Sequence, residues 1–276
     1  MNDVKKKEQG FSKAHIEFLA KKRREKIAIY CCRVGVLVVV LALWELLAFC
    51  GAIDAFITSS PSRIASKLAQ LAADGELFKH AAVTLGETLA GFAIATVVGT
   101  LVAIGLWWCE PLRKTLEPHL VILNALPKIA LGPIIIIWMG SGAGAIVFMA
   151  VLICVIITVI GVLSGFMQTD KGKLTLMDTL GATKRQKLTM LVLPANIPTI
   201  VSALKINVGL SWVGSIMGEY LVSRAGLGYL IIYGGQVFDL DLVMTSTIVL
   251  CVLAAAMYGA VALFEKAVAK KFDAES

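Results

Sequence analysis

The segment DKGKLTLMDTLGATKRQKLTMLVL, Asp170–Leu193, is the one substantial polar interruption between two long apolar runs, and Pro194 follows it. The run before it, Ile129–Thr169, contains no charged residue, and the run after it, Ala195–Gly218, carries only Lys205. A basic segment between two runs of membrane-spanning length is typical of the cytosolic side of a membrane protein. The segment therefore predicts a cytosolic loop between two transmembrane helices.

A short helix is predicted within this loop. Leu174, Met177 and Leu180 follow one another at intervals of three, which gives a narrow apolar stripe along two to three helical turns. Gly181 then ends or bends the helix, because glycine tolerates the left-handed backbone geometry of a helix terminus. Two interpretations remain open: the helix lies parallel to the membrane as a docking element for another protein, or it is a connecting loop that packs on its own bundle.

The loop resembles the EAA loop of ABC importer permeases, in which a glycine is followed, after nine residues, by I-x-L-P. Here Gly181 is followed after nine residues by the sequence LVLP at positions 191–194. The run TLGAT at positions 179–183 matches the T-L-G-A-S/T run of that family. The sequence from Leu193 to Ile231 is similar to the nitrate, sulfonate and taurine branch of the family.

The resemblance implies that an ATP-hydrolysing subunit receives the short helix, Lys173–Lys187, in a surface groove. One departure concerns positions 175–177, where Thr-Leu-Met stands in place of the family's Glu-Ala-Ala. The contact made by that glutamate is therefore either missing or made by Asp178. The positions that the resemblance implies for ATPase coupling are Asp178, Leu180, Gly181, Ala182, Thr183, Lys184, Leu193 and Pro194.

The same resemblance implies the remaining parts of an importer. An extracytoplasmic solute-binding protein would deliver the substrate, and a second copy of the permease, as a homodimer, would complete the pathway. The expected fold is that of a type I ABC importer permease in the inner (cytoplasmic) membrane of a bacterium, without a cofactor. The expected substrate is a small organic or inorganic anion (sulfonate-, taurine- or nitrate-like) or a vitamin precursor, and the sequence does not distinguish among these.

Composition independently indicates an integral membrane protein. The chain has 276 residues, 58% of them hydrophobic and 16% charged, with a mean hydropathy of +0.83. The net charge of +7 is concentrated in tails and loops, which favours a lipid bilayer as the partner and argues against nucleic acid. The six cysteines and three histidines are scattered, so neither a disulfide framework nor a metal site is predicted.

The hydropathy pattern predicts an all-α membrane protein with six transmembrane helices in a domain covering residues 27–265. The predicted spans are residues 27–49, 83–108, 120–139, 145–166, 199–221 and 242–264. Residues 1–26 and 266–276 are predicted to be tails, and residues 170–194 form the coupling loop. Nineteen of the 26 Lys and Arg residues lie in the tails, the turn between the second and third spans and the coupling loop, and four lie on the opposite side. This asymmetry predicts that both termini are cytosolic.

Polar side chains within the predicted spans are candidates for a translocation path. One set interrupts the inner half of the third span, and another recurs every four residues along the fifth. Polar groups inside a membrane usually face an interior path or bond to another helix, and both interpretations remain open here. Glu87, one turn inside the second span, either reaches the interface or lines a wet cavity. The candidate path residues are Asn124, Lys128, Asn207, Ser211, Ser215 and Glu219.

No enzymatic motif is found in the sequence. The phosphate-binding pattern G-x-x-x-x-G-K-[ST] is missing, and no nucleophile–base pair or paired carboxylate site stands out. Energy for transport would therefore enter through another subunit. The alternatives are a stand-alone secondary transporter, which would show repeated halves with buried acidic ion sites, and a membrane-bound structural or assembly factor.

Overall fold

The computed structural model describes residues 13–273, and within that range the regular elements are all helical. The ends of the predicted tails, residues 1–12 and 274–276, lie outside the described residues. The chain forms two compact units, one extending to Ala65 and one starting at Ser66.

The first unit is organised by a long helix, α1 (Lys13–Phe49), followed by the short α2 (Ala55–Thr58). Glu45, near the end of α1, accepts hydrogen bonds from the backbone N–H of Ser62 (3.0 Å) and from the Ser62 hydroxyl (2.7 Å). Ser62 is in the first turn of the next helix, where N–H groups lack partners within the helix. A carboxylate is favoured there because it also complements the helix dipole.

The second unit contains long helices separated by short ones. A 3₁₀ turn, Lys128–Leu131, precedes α6, and a π-helical turn, Leu188–Val192, lies between α9 and α10. The helices that follow α2 are α3 (Pro61–Ala73), α4 (Glu76–Trp108), α5 (Glu110–Ala125), α6 (Gly132–Met139), α7 (Ala143–Met167), α8 (Lys171–Thr179), α9 (Lys184–Lys187), α10 (Leu193–Ala195), α11 (Ile197–Val222), α12 (Leu227–Gln236) and α13 (Leu240–Asp273).

Five helices among the described residues are long and apolar enough to cross a membrane, namely α1, α4, α7, α11 and α13. A sixth crossing exists if α5 and the segment Lys128–Met139, which meet at 84°, are counted as one broken span. The break falls at Pro127, inside the predicted span 120–139. Proline lacks a backbone N–H and pushes the preceding residue, Leu126 (φ −64°, ψ 139°), into extended geometry.

Several helices continue beyond the predicted apolar spans. Helix α4 begins at Glu76, seven residues before the predicted start of its span at residue 83, and α13 continues to Asp273. Helix α1 likewise begins at Lys13, within the predicted N-terminal tail. Hydropathy marks the apolar part of a helix, whereas Lys, Glu and Ala favour continuation of the same helix into water.

Helix α7 packs closely against both α4 and α11. Ala150 of α7 is fully buried and faces Gly91 of α4, where an added Cβ would lie 2.5 Å from the Ala150 Cβ. A Cβ on Gly214 of α11 would overlap the Ala150 backbone, and one on Gly218 would lie 2.9 Å from the Cα of Ile146. Small residues let backbones approach, which supplies packing energy in lipid where apolar burial gains little.

This packing predicts different effects for two glycine substitutions in α11. Gly214→Ala should lower the free energy of unfolding by about 1–3 kcal/mol, because the new methyl group forces α7 and α11 apart. Gly209→Ala should not, since no atom lies within 4 Å of a Cβ at that position. Thermal unfolding of the purified chain in detergent micelles measures both, and equal losses would contradict the close approach.

Candidate functional site

The coupling loop begins with a well-capped helix, α8. The Asp170 side chain accepts hydrogen bonds from the backbone N–H groups of Gly172 (2.7 Å) and Lys173 (3.4 Å). Aspartate is a favoured residue at this position, because its carboxylate satisfies N–H groups that have no partner within the helix. Helix α8 therefore starts directly after the long apolar run, which ends at Thr169.

The sequence predicted that Gly181 either ends or bends this helix, and in the structure the helix ends there. The φ of Gly181 is +74°, in the left-handed region that favours glycine. The N–H of Gly181 donates to the carbonyl of Asp178 (3.0 Å), and the N–H of Ala182 donates to the carbonyl of Met177 (2.9 Å). These two bonds form a Schellman motif, which satisfies carbonyls at the end of the helix. The single helix expected over Lys173–Lys187 is thus divided in two.

Thr183 starts the second, shorter helix through a capping box. Its N–H donates to the Gln186 side-chain oxygen (2.8 Å), and the Gln186 N–H donates to the Thr183 hydroxyl (3.4 Å). Each side chain satisfies a backbone group of the other residue. Asp178 also forms an ion pair with Lys187 across the two short helices. These hydrogen bonds and this ion pair, all within the loop, stabilise the conformation of its central part.

Lys184 joins the loop to the end of α4. Its ammonium donates to the carbonyl of Trp108 (2.6 Å), a terminal carbonyl of that helix. The same nitrogen lies 5.9 Å from the Trp107 ring centroid and 6.0 Å from that of Trp108, within the range of cation–π attraction. The coupling loop is thus attached to α4 as well as to α7 and α11.

Leu193 and Pro194 form the corner that leads into α11, and both are half-buried. Asn196, which sequence reasoning missed, secures this corner. Its side-chain amide donates to the hydroxyl of Thr169 (2.8 Å), just beyond the end of α7, and to the carbonyl of Val192 (2.9 Å). The position was not signalled by the sequence, because its partner Thr169 lies on the far side of the loop.

The polar stripe of α11 lies inside the bundle. Asn207, Ser211 and Ser215 are fully buried, and Glu219 is 2% exposed. The Asn207 amide donates to the Thr158 hydroxyl of α7 (2.7 Å) and to a threonine hydroxyl of α4. The two serine hydroxyls donate to backbone carbonyls of their own helix. This burial favours the interpretation of the stripe as a packing element of the bundle.

Asn124 and Lys128 lie together at the broken span. The Lys128 ammonium donates to the Asn124 carbonyl (3.1 Å), Asn124 is exposed, and Lys128 is partly exposed. The hydrogen bonds and ion pairs found among residues 13–273 do not connect this pair with the stripe. Lys205, also in α11, forms an ion pair with Glu265 of α13. The six candidate path residues therefore occupy two different environments.

Helix α12 is held by side chains from two long helices. The N–H groups of Gly226 and Leu227 donate to His80 Nδ1 (2.8 Å) and to the Thr84 hydroxyl (2.7 Å), both on α4. The N–H of Gly228 donates to Glu219 Oε2 of α11 (2.6 Å). The roles of His80 and Thr84 were not predicted from the sequence. A glutamate followed seven residues later by G-x-G at a helix start was the available signal.

Comparison with protein families identifies the class of protein. The model of the family described as "Binding-protein-dependent transport system inner membrane component" matches residues 91–271. The chain belongs to this family and is a multi-pass membrane permease component of an ABC importer. This confirms the family resemblance noted in the sequence.

Individual relatives agree with this assignment. A probable ABC transporter permease protein of Haemophilus influenzae is 29% identical over 223 residues, which are 80% of this chain and 89% of the relative. The formylaminopyrimidine transport permease protein ThiX of Halalkalibacterium halodurans is 30% identical, over 68% of this chain and 75% of its own length. The taurine transport system permease protein TauC of Escherichia coli is 24% identical, over 80% and 82%.

A solved structure shows the same fold. A chain in the crystal structure of a bacterial ABC transporter involved in the import of alginate has a TM-score of 0.61 and 15% identity to this protein. The match covers 90% of this chain and 98% of the solved chain. The predicted all-α, type I importer-like fold is confirmed, whereas the cytosolic placement of both termini stays a prediction.

The capping box gives a prediction for the coupling loop. Thr183→Ala should make amide hydrogen exchange of residues 184–188 roughly fivefold faster, because loss of such a cap costs about 1 kcal/mol. Thr189→Ala is the matched control: it removes an exposed threonine whose hydroxyl bonds only to a carbonyl one turn earlier. Equal exchange in the two variants would show that the box does not hold the loop.

Proposed function

We propose that the loop Asp170–Pro194 is the coupling element through which a separate ATP-hydrolysing subunit drives this permease. The proposal rests on one observation: the short helices of the loop are capped by hydrogen bonds within the loop, and yet several of its apolar side chains are exposed. Leu176 is 59% exposed, Leu180 is 76% exposed and Met190 is 70% exposed. Exposed apolar groups on an ordered, polar loop are typical of a protein-interaction surface.

The roles of individual positions follow from where they lie. Gly181, Ala182 and Thr183 form the turn between α8 and α9, and Lys184 is the first residue of α9. We propose that these four residues contact the ATPase. Asp178 is paired with Lys187 inside the loop. This pairing supports a structural role for Asp178 within the loop. It favours the interpretation that this chain lacks the contact that the glutamate of the family's Glu-Ala-Ala run makes.

A movement of the loop would be transmitted to three long helices at once. The end of α7 and the start of α11 continue from it, and Lys184 attaches it to the last carbonyl groups of α4. Displacement of such a loop by a closing ATPase would move these helices as rigid bodies, since packed helices slide or rotate as units. We propose that this rocking alternates access between the two sides of the membrane.

The assembly we propose contains two copies of the permease, two ATPase subunits and an extracytoplasmic binding protein. The loop and both termini would lie in the cytosol, supported by the excess of Lys and Arg on that side. We place the translocation path along the exposed Asn124 and the partly exposed Lys128, and we give the buried stripe a packing role. The family match favours the importer over a stand-alone secondary transporter. The membrane would be the cytoplasmic membrane of a bacterium.

For the substrate, we propose a small sulfonate, taurine-like or nitrate-like anion, or a pyrimidine vitamin precursor. The proposal is supported by relatives named for taurine and for formylaminopyrimidine transport. A binding protein that associates with the reconstituted permease can be screened by thermal unfolding with taurine, an alkanesulfonate, nitrate and an aminopyrimidine. Stabilisation by one of these is expected, and stabilisation only by a sugar or a peptide would contradict the substrate class.

Gly181→Asp should abolish transport and stimulation of the ATPase by substrate-loaded binding protein, while insertion into the membrane persists. The added carboxylate would stand on the docking surface, where a Cβ has open space in the isolated chain. Reconstituted complexes in proteoliposomes measure both activities, and membrane fractionation measures insertion.

Gly75→Asp is the matched control for this experiment. Gly75 has nearly the same backbone geometry (φ +75°, against +74° for Gly181), and a Cβ there also meets nothing within 4 Å. The two variants therefore carry the same backbone strain, but Gly75 lies between α3 and α4, outside the coupling loop. Transport that survives Gly181→Asp, or fails equally in Gly75→Asp, would argue against the coupling role.

A further inference from the structure

Two carboxyl groups, Glu87 of α4 and Glu219 of α11, lie side by side inside the bundle near the start of α12. Glu87 is 8% exposed and Glu219 is 2% exposed. Thr84, one turn before Glu87 on α4, and Glu219 accept hydrogen bonds from the consecutive N–H groups of Leu227 and Gly228, so both helices bring a carboxyl group to the start of α12. A buried carboxyl pair of this kind is unusual, because two like charges in a medium of low polarity repel strongly.

The hydrogen bonds of Glu219 use only one of its two oxygens. Oε2 accepts from the backbone N–H groups of Gly228 (2.6 Å) and Tyr229 (3.4 Å), at the start of α12. Oε1 is buried without a hydrogen-bond partner, and so is Oε2 of Glu87. Buried polar atoms without partners are costly and rare in folded proteins.

A single bound proton would supply the missing hydrogen bond for both of these carboxyl groups. If Glu87 is protonated, its O–H donates to Glu219, and a single hydrogen bond supplies a partner to each group. Glu219 is the better site for the negative charge, because it faces N–H groups at a helix N-terminus. The pair then carries one negative charge, and this charge is compensated by the α12 backbone.

The charged and titratable groups around the pair are compatible with a proton bound between the two carboxyl groups. His80 Nδ1 accepts a hydrogen bond from the Gly226 N–H, so this nitrogen carries no proton. Helix α7 has no charged residue, and Tyr220 and Tyr229 are the sequence neighbours of Glu219 and Gly228 in α11 and α12. Arg224 is exposed, and no ion pair joins it to either carboxyl among residues 13–273.

A cavity connects Glu87 with the surroundings of the bundle. Its volume is about 490 Å³, and Glu87 lines it together with Ser141, Gly142, Ser223 and Arg224. Glu219 is not among its lining residues. A proton could therefore reach the pair through Glu87 alone, from the end of the bundle at which the turn between α6 and α7 lies.

We propose that Glu87 and Glu219 form a proton-binding site that fastens α12 to the bundle. The bound proton lets Glu219 approach the start of α12 as a carboxylate while Glu87 stays neutral beside it. Removal of the proton would place two negative charges in contact and weaken the hold of Glu219 on α12. Glu87 is thus a positioning residue that acts through Glu219. The proposal goes beyond the coupling function and does not depend on it.

Glycine at positions 226 and 228 fits this interpretation. A Cβ on Gly228 would lie 2.8 Å from Glu219 Oε2, and one on Gly226 would overlap the same carboxylate. Gly226 also has φ +120°, which side-chain-bearing residues rarely adopt. The glycines therefore make room for the carboxylate at the first turn of α12.

Infrared spectroscopy of the purified full chain in lipid nanodiscs at neutral pH tests the site directly. The expected result is a carbonyl band of a protonated carboxyl that shifts in D₂O and is lost in Glu87→Gln. Glu110→Gln, which changes an exposed glutamate paired with Lys114, should leave the band unchanged. A wild-type chain without this band, or a band retained in Glu87→Gln, would overturn the proposal.

Hydrogen exchange of Gly228 and Tyr229 provides a second, independent readout. Glu87→Gln should keep their protection, because the amide N–H donates to Glu219 in place of the proton. Glu87→Leu should accelerate their exchange about tenfold or more, since it leaves the Glu219 oxygen buried and unpaired. Equal exchange in the two variants, or failure of Glu87→Gln to fold, would overturn the role of the proton. Neither outcome bears on transport, so the coupling proposal stands or falls separately.

Discussion

Backbone-to-backbone contact of α7 with α4 and α11 is the constraint on which the rest of the second unit depends. Ala150 lies between Gly91 and Gly214, and neither glycine has room for a side chain there. In a membrane, apolar side chains gain little by leaving lipid for protein, so such close packing and polar bonds must hold the helices together. The positions of the loops and short helices are set by the three helices that meet in this way.

The coupling loop illustrates the consequence. It connects α7 with α11, so its two ends are already fixed relative to each other by the packing of those helices. The Schellman motif at Gly181 and the capping box at Thr183 then fix the chain between these ends. A loop built in this way has little freedom to absorb a push, which makes it suitable for passing movement to the helices that hold it.

The buried polar groups follow the same logic. Asn207 bonds to hydroxyl groups on both neighbouring helices, and Glu219 binds the first N–H groups of α12. A polar group in a low-dielectric interior needs a partner, and each satisfied group then ties one element to another. The polar residues of α11 therefore hold the bundle together, whereas Asn124 and Lys128 remain accessible at the broken span.

The sequence by itself determined the apolar spans, the basic loop, the helix boundary at Gly181 and the polar interruption of the third span. These features depend on local composition and on the backbone preferences of single residues. Only the tertiary structure decided which polar residues are buried, because a repeat of four residues marks a helix face without saying what that face meets. The bonds from Lys184 to Trp108 and from Gly226 to His80 join residues 76 and 146 positions apart, and no local pattern specifies such partners.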